Sequence, residues 1–288
     1  VRPEELLPPA TMAALAKRRL TFRQLPAGQP GGHPSPRAGL SLEFSDHRPY
    51  QPGDDFRQID WAVYARQRRL VTKVYTQELE APLYLLLDTS ASMGYGQPAK
   101  FPLALRLAAA LAFVALRGLD RVGLQPFAER LGEGLPPGRG RGHLGRVLSL
   151  LGELSPRGET SFAPVSDWAA GGHQPGLAVV ISDFLAPTGV EEALTALRRA
   201  RHRVWALQVL SPQELSPPWR GLLRLVDLET GRSRVVPLGR QALLAYRARL
   251  AEHNRRLAEF CSSQGIPHRL LASPRRPAEI VLELVARR

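Results

Sequence analysis

The chain has 288 residues, 44% hydrophobic and 23% charged, a balance near the globular average that excludes wholesale disorder. The single cysteine, Cys261, excludes an intramolecular disulfide and any multi-cysteine zinc or iron–sulfur site, and the seven histidines show no zinc-type spacing. The net charge of +13 rests on arginine, since Lys17, Lys73 and Lys100 are the only lysines; it would attract acidic partners or nucleic acid, but no base-reading motif accompanies it.

In chain order, residues 1–40 predict a short amphipathic helix over 11–20 and then a Gly/Pro/His stretch at 27–36, read as a flexible linker. Residues 41–80 are polar, dense in Asp, Arg and aromatics, and end in a strand over 70–75. From 81 to 288 strand and helix alternate. Residues 83–87, 177–181 and 204–210 are continuous apolar runs of the buried parallel-strand kind, and 122–127 reads as a further strand. Helices are expected over 103–117, 144–154 and 190–201. A hairpin is expected within 222–238, turning at Glu229-Thr230-Gly231-Arg232. A long helix carries Leu243, Leu250 and Leu257 on one face and stops at Gly265, before a last strand at 268–271 and a helix from Pro277.

This alternation predicts an α/β fold: a doubly wound, mostly parallel sheet flanked by helices, with an N-terminal extension and an added β-hairpin. The longest apolar run, 103–116, contains Arg106 and falls short of the ~20-residue membrane span, and residues 1–5 lack a signal-type charge and hydropathy pattern. A soluble, cytoplasmic protein without direct membrane insertion is the expectation.

In such sheets the functional crevice lies at the carboxyl ends of the strands. One buried strand ends in Asp88-Thr89-Ser90-Ala91-Ser92, whose alternation aims Asp88, Ser90 and Ser92 to one side. Another ends in Ser182-Asp183-Phe184, and the loop between them brings Thr160, with Ser161 adjoining; either hydroxyl can point inward. Two carboxylates and three hydroxyls make an all-oxygen set suited to Mg²⁺, with Mn²⁺ or Ca²⁺ as substitutes. Two carboxylates only neutralise a divalent ion, so it stays electrophilic and can accept an outside carboxylate.

Asp-x-Ser-x-Ser with a later Thr and a later Asp resembles the metal-ion-dependent adhesion site of von Willebrand factor A domains. The upstream stretch Arg48-Pro49-Tyr50-Gln51-Pro52-Gly53-Asp54-Asp55-Phe56-Arg57-Gln58-Ile59-Asp60-Trp61 resembles the signature of the bacterial family labelled domain of unknown function fifty-eight. The resemblance runs over about residues 38–288. It implies a von Willebrand A-like domain at 81–288 behind the 41–80 signature segment. It also implies a metal site at Asp88, Ser90, Ser92, Thr160 and Asp183, and no recognised enzymatic activity. Members are commonly encoded beside MoxR-type AAA+ ATPases, which implies an adaptor role toward such an ATPase, with an acidic ligand residue completing the site.

Plainer readings compete. Asp and Ser at a strand end also cap helices. Gly53-Asp54-Asp55 reads as a turn bonded to its own backbone, with Arg57 and Asp60 as an ion pair. The arginines at 198, 199, 201 and 203 fit the solvated end of a helix. Trp168, Trp205 and Trp219 read as core or edge aromatics, and His173 and His268 as surface residues. A phosphohydrolase using Asp88 as nucleophile would need an acid where Ser90 stands, and no lysine or further carboxylate is evident for its leaving group. No lysine follows a glycine, so a P-loop is absent and nucleotide hydrolysis would belong to another polypeptide.

Overall fold

The computed structural model describes residues 2–16, 42–77, 81–118, 120–273 and 276–286. The chain divides into two compact units, one of Phe22–Glu80 and one of Val1–Thr21 with Ala81–Arg288. The stretch expected to be a linker, 27–36, lies outside the described residues.

The larger unit begins with two short helices, α1 (Pro3–Leu6) and α2 (Pro9–Leu15). The smaller unit consists of β1 (Leu42–Pro49), α3 (Trp61–Gln67) and β2 (Val71–Gln77), with β1 and β2 antiparallel around an irregularity between Phe44 and Asp46. Its aspartates hold turns and caps. Asp54 accepts the Gln51 N–H at 2.9 Å and pairs with Arg48, Asp55 accepts the Arg57 N–H, and Asp60 caps α3 through the N–H groups of Ala62 and Val63. The expected Arg57–Asp60 pair is replaced. Capping turns the Asp60 carboxylate back toward α3, where His47 of β1 meets it at 2.9 Å, while the Arg57 guanidinium lies over the Phe56 ring.

The larger unit then runs β3 (Leu83–Asp88), α4 (Lys100–Arg117), β4 (Val122–Phe127), β5 (Leu135–Gly138), α5 (Gly140–Glu153), α6 (Ala163–Ala170), β6 (Leu177–Ser182), α7 (Val190–Arg199), β7 (Arg203–Leu210), α8 (Pro212–Leu215), β8 (Gly221–Val226), β9 (Ser233–Leu238), α9 (Arg240–Ser263), β10 (His268–Ala272) and α10 (Pro277–Ala286). Six strands form one sheet in the order β10-β7-β6-β3-β4-β5, parallel except for β5, which is antiparallel to β4 at the edge. This is a mixed α/β architecture with a mostly parallel central sheet flanked by helices.

Every residue of β3 and β6 is buried, because helices cover both faces of the sheet. Tyr84 and Leu86 pack into a layer formed by α6, α7 and α9, together with Val165, Leu194, Leu197 and Leu257. Strand alternation turns Leu83, Leu85 and Leu87 to the opposite face, which α4 covers. Helix α4 is buried nearly all round, since α5, α10, α1 and α2 pack on its outer side. Strands β8 and β9 stand apart as a two-stranded hairpin.

Besides α1, β1, α3 and α8, two elements of the larger unit escape the hydropathy reading for evident reasons. Strand β5 contains Pro136 and Pro137, which lack ladder donors and are tolerated at an edge. Helix α6 is only eight residues long, starts with a proline in its first turn and shows too few turns for a clear period.

The chain leaves β3 toward β4 and leaves β6 toward β7, in opposite directions, while β3 and β6 are hydrogen-bonded neighbours. A parallel sheet opens a crevice at such a reversal, outside the carboxyl ends of the two strands. Asp88 ends β3, and Asp183 follows β6.

Candidate metal centre

The backbone after β3 is laced to its surroundings. The Thr89 N–H and hydroxyl both donate to the Phe127 carbonyl, and the Asp88 carboxylate accepts the Ser90 N–H at 2.9 Å. The Arg157 N–H donates to the Thr89 carbonyl and the Ala91 N–H to the Gly158 carbonyl, which fastens the loop before α6 beside the Asp88–Ser92 turn. Gly158 takes φ +80° there, a conformation disfavoured for residues with a Cβ. The loop thereby delivers Thr160 to the crevice, whereas the Ser161 hydroxyl accepts the Ala163 N–H at the start of α6.

The five expected residues converge. The Ser90 and Ser92 hydroxyls stand 3.0 Å apart, Ser92 donates to Asp183 Oδ2 at 3.1 Å, and Thr160 Oγ1 lies 3.4 Å from Ser92 Oγ. Asp88 joins through Ser182, whose hydroxyl donates to Asp88 Oδ2 at 2.6 Å. Capping does not account for the serines. Ser90 precedes a short 3₁₀ turn, Ala91–Gly94, and makes no side-chain cap bond to it.

Asp88, Ser90 and Asp183 are almost fully buried. Among the described residues the groups that bond the Asp88 carboxylate, the Ser182 hydroxyl and the Ser90 N–H, are neutral. Burial, and behind it the charge of Asp183, push the Asp88 carboxyl up to about 6. A buried carboxylate in that position gains from a cation. Among the described residues no group of three or more His, Cys, Asp or Glu side chains is arranged to hold a metal. An ion here would therefore depend on the hydroxyls and on water, as a hard cation such as Mg²⁺ does.

Sequence reasoning missed three contributors. Lys100 opens α4 and is completely buried, its Nζ 2.6 Å from both Asp183 Oδ2 and Glu214 Oε1. Burial alone would lower its pKa, but the two carboxylates outweigh that and hold it above the ordinary lysine value. Glu214 uses its other oxygen to accept the Ser211 N–H at 2.7 Å, closing the capping box of α8. The motif Ser211-Pro-Gln-Glu214 was the available signal. Glu229, in the β8–β9 turn, accepts the Thr160 N–H at 3.1 Å and the Thr160 hydroxyl at 2.5 Å. The expectation that no lysine or further carboxylate reaches the site is thus corrected: tertiary folding brings in all three from distant elements.

Behind β6 the backbone is strained. Phe184 takes φ +54° with its ring fully buried and stacked on Phe162. It is pinned from several sides: its N–H donates to Ser182 Oγ, its carbonyl is 2.7 Å from His253 Nε2, and Gln208 donates to the Asp183 carbonyl. His268, expected at the surface, is half-buried 3.2 Å from Gln208, because β10 pairs beside β7. His173 is exposed and stacks on Trp168.

Two cavities, of about 590 and 500 Å³, lie between α6, α7 and α9 and between α2, α4 and α5. None of the five site residues lines either cavity. Among the described residues no helix is long and apolar enough to cross a membrane.

Solved structures similar to this chain include the conserved hypothetical protein BatB from Bacteroides thetaiotaomicron, at 18% identity and a TM-score of 0.47, over 72% of this chain and 97% of that one. An aerotolerance-related membrane protein from Bacteroides fragilis matches at 20% identity and a TM-score of 0.45, over 72% and 96%. Uncharacterized proteins Mb1516 of Mycobacterium bovis and Rv1480 of Mycobacterium tuberculosis are each 33% identical over 231 residues, covering 77% of this chain and 72% of theirs. Residues 46–256, which include the whole upstream signature and all five residues of the crevice, match the family described as protein of unknown function DUF58, and the chain belongs to that family.

Proposed function

We propose that this chain is a Mg²⁺-dependent protein-interaction module with a von Willebrand A-like fold, acting as an adaptor for a MoxR-type AAA+ ATPase. The observation that carries the reading is the convergence of Asp88, Ser90, Ser92, Thr160 and Asp183 at the strand reversal, where oxygen–oxygen contacts link Ser90, Ser92, Thr160 and Asp183 and the Ser90 N–H bonds Asp88. Asp88, Ser90, Ser92, Thr160 and Asp183 would hold the ion directly or through water. When bound, it would supply an electrophilic position for a partner's carboxylate. Ser182 orients Asp88, and Lys100 fixes Asp183 through Oδ2, the oxygen that also accepts from Ser92. The ATPase partner rests on the family resemblance, and it agrees with the absence of a P-loop from this sequence.

A phosphohydrolase reading gains one observation, the buried Lys100 against Asp183. It loses on two others: Ser90 stands where the general acid is needed, and the Lys100 ammonium is already bonded to two carboxylates.

The test is calorimetric titration of Mg²⁺ and Mn²⁺ into EDTA-stripped protein, paired with capture of a purified MoxR-type ATPase. Saturable binding of about one ion per chain, with capture lost both in EDTA and in Asp88→Ala, is the expected result. Capture that persists in EDTA would overturn the metal-dependent mechanism.

A further inference from the structure

We infer that Glu229 is a built-in acidic ligand of this centre, holding the berth that a partner's carboxylate takes when it displaces the β8–β9 hairpin. The inference rests on the metal-site reading above and adds its regulation.

The hairpin turn is constructed to present this one side chain. Asp227 Oδ1 accepts the N–H groups of Glu229 and Thr230, the Gly231 N–H closes on the Asp227 carbonyl, and Gly231 takes φ +70°. Residues 227–232 are all exposed except Glu229, which is half-buried. In a chain so rich in arginine an exposed glutamate would ordinarily meet a cation. Among the described residues Glu229 has no ion-pair partner, and both its oxygens go to Thr160.

That contact has a chemical consequence. The Thr160 N–H can only donate, so the Glu229 carboxylate is an acceptor and the Thr160 hydroxyl proton points to it. Ser92 directs its proton to Asp183. Ser90 then donates to Ser92 Oγ, which keeps one lone pair, and Thr160 Oγ1, 3.4 Å away, keeps both, so each can face a cation. Glu229 is thus a carboxylate of the chain itself, held directly against the Thr160 hydroxyl of the centre.

The hairpin is also suited to leave. Its strands pair only with each other, and Leu222, Leu225, Val226, Leu228 and Val235 are exposed. A two-stranded ribbon with this little burial has marginal stability of its own. Strand β9 packs against α9, and the Thr160–Glu229 bonds tie the tip to the loop before α6.

The test uses the full chain, stripped of metal, as wild type and as Glu229→Gln, which keeps the shape and one acceptor but removes the charge. Mn²⁺ binding is followed by electron paramagnetic resonance, and water-proton relaxation reports the exchanging waters on the bound ion. Both proteins are expected to bind one Mn²⁺. Relaxation enhancement should be higher in Glu229→Gln, and added acetate should quench it at roughly tenfold lower concentration than in wild type, the fold-change that one charge-assisted contact supports. Hydrogen exchange at 227–232 should quicken by about the same factor. Equal enhancement and equal acetate response, with Mn²⁺ bound to both, would overturn the role of Glu229 and leave the metal site standing. Loss of Mn²⁺ binding in Glu229→Gln would make Glu229 an obligate ligand and overturn displacement. No Mn²⁺ binding by either protein would remove the metal reading itself and this inference with it.

Discussion

At the residue scale the centre is governed by an imbalance of charge. Asp88, Asp183 and Glu214 are all buried, and Lys100 is the one cation among the described residues that bonds any of them. Lys100 is committed to Asp183 Oδ2, the oxygen that Ser92 also bonds, and to Glu214, which leaves Asp88 bonded only to neutral donors among the described residues. The lysine therefore compensates Asp183 and Glu214 and leaves Asp88 in need of a positive charge. Removing one partner of a buried ion pair strands the others, at a cost of about 3–5 kcal/mol. Lys100→Met should lose about that much in urea unfolding measured in EDTA, and Mg²⁺ should restore part of it by supplying the missing charge. A loss below about 1 kcal/mol would mean that water already compensates the carboxylates.

At the scale of the element, the turn after β6 couples strain to position. Left-handed φ at a residue with a Cβ costs about 1–2 kcal/mol, yet Phe184 holds it, fixed by its buried ring and by the bonds of Ser182, His253 and Gln208 around it. Truncating the ring should cost about 3–5 kcal/mol through the cavity left behind. Glycine relieves the backbone strain and alanine does not. Phe184→Gly should therefore be more stable than Phe184→Ala by about 1 kcal/mol in chemical denaturation, reversing the usual order of those residues. The strand ends were legible in the sequence because fully buried parallel strands read as unbroken apolar runs closed by Asp88 and by Asp183. The strain at Phe184 was not, since an aromatic residue gives no local sign of positive φ. Nor was the meeting of Lys100, Glu214 and Glu229, because they come from α4, α8 and a hairpin turn that only the tertiary fold brings to one crevice.

On the scale of the whole molecule, the sheet has two unlike ends. The carboxyl ends of the strands gather the polar centre, and the amino ends close on aromatic packing. There Tyr84, at the start of β3, and Trp168 of α6 meet the ring of His202, which enters β7. The His202 ring is buried, with Nδ1 accepting the Gly176 N–H at 3.2 Å and Nε2 buried without a hydrogen-bond partner among the described residues. Burial, and then the nearby His173, lower its pKa to about 4. The unfolded chain protonates this group below about 6.5, while the folded chain keeps it neutral until pH approaches 4. The fold consequently pays nothing for His202 above pH 7 and loses stability as pH falls from 6.5 toward 4. The full shift corresponds to about 3 kcal/mol, and relaxation around the charged ring should reduce the observed loss to about 2 kcal/mol. Asp88 titrates in the same window with the opposite sign, since its raised pKa makes the folded chain the better proton binder there. The comparison that isolates His202 is therefore wild type against His202→Asn, whose Oδ1 can still accept the Gly176 N–H. Urea unfolding of both proteins at pH 7.0 and 4.5, in EDTA, should show wild type losing about 2 kcal/mol more than the variant. An equal loss in both would mean that the ring reaches water at the amino end of the sheet and is protonated there as freely as in the unfolded chain.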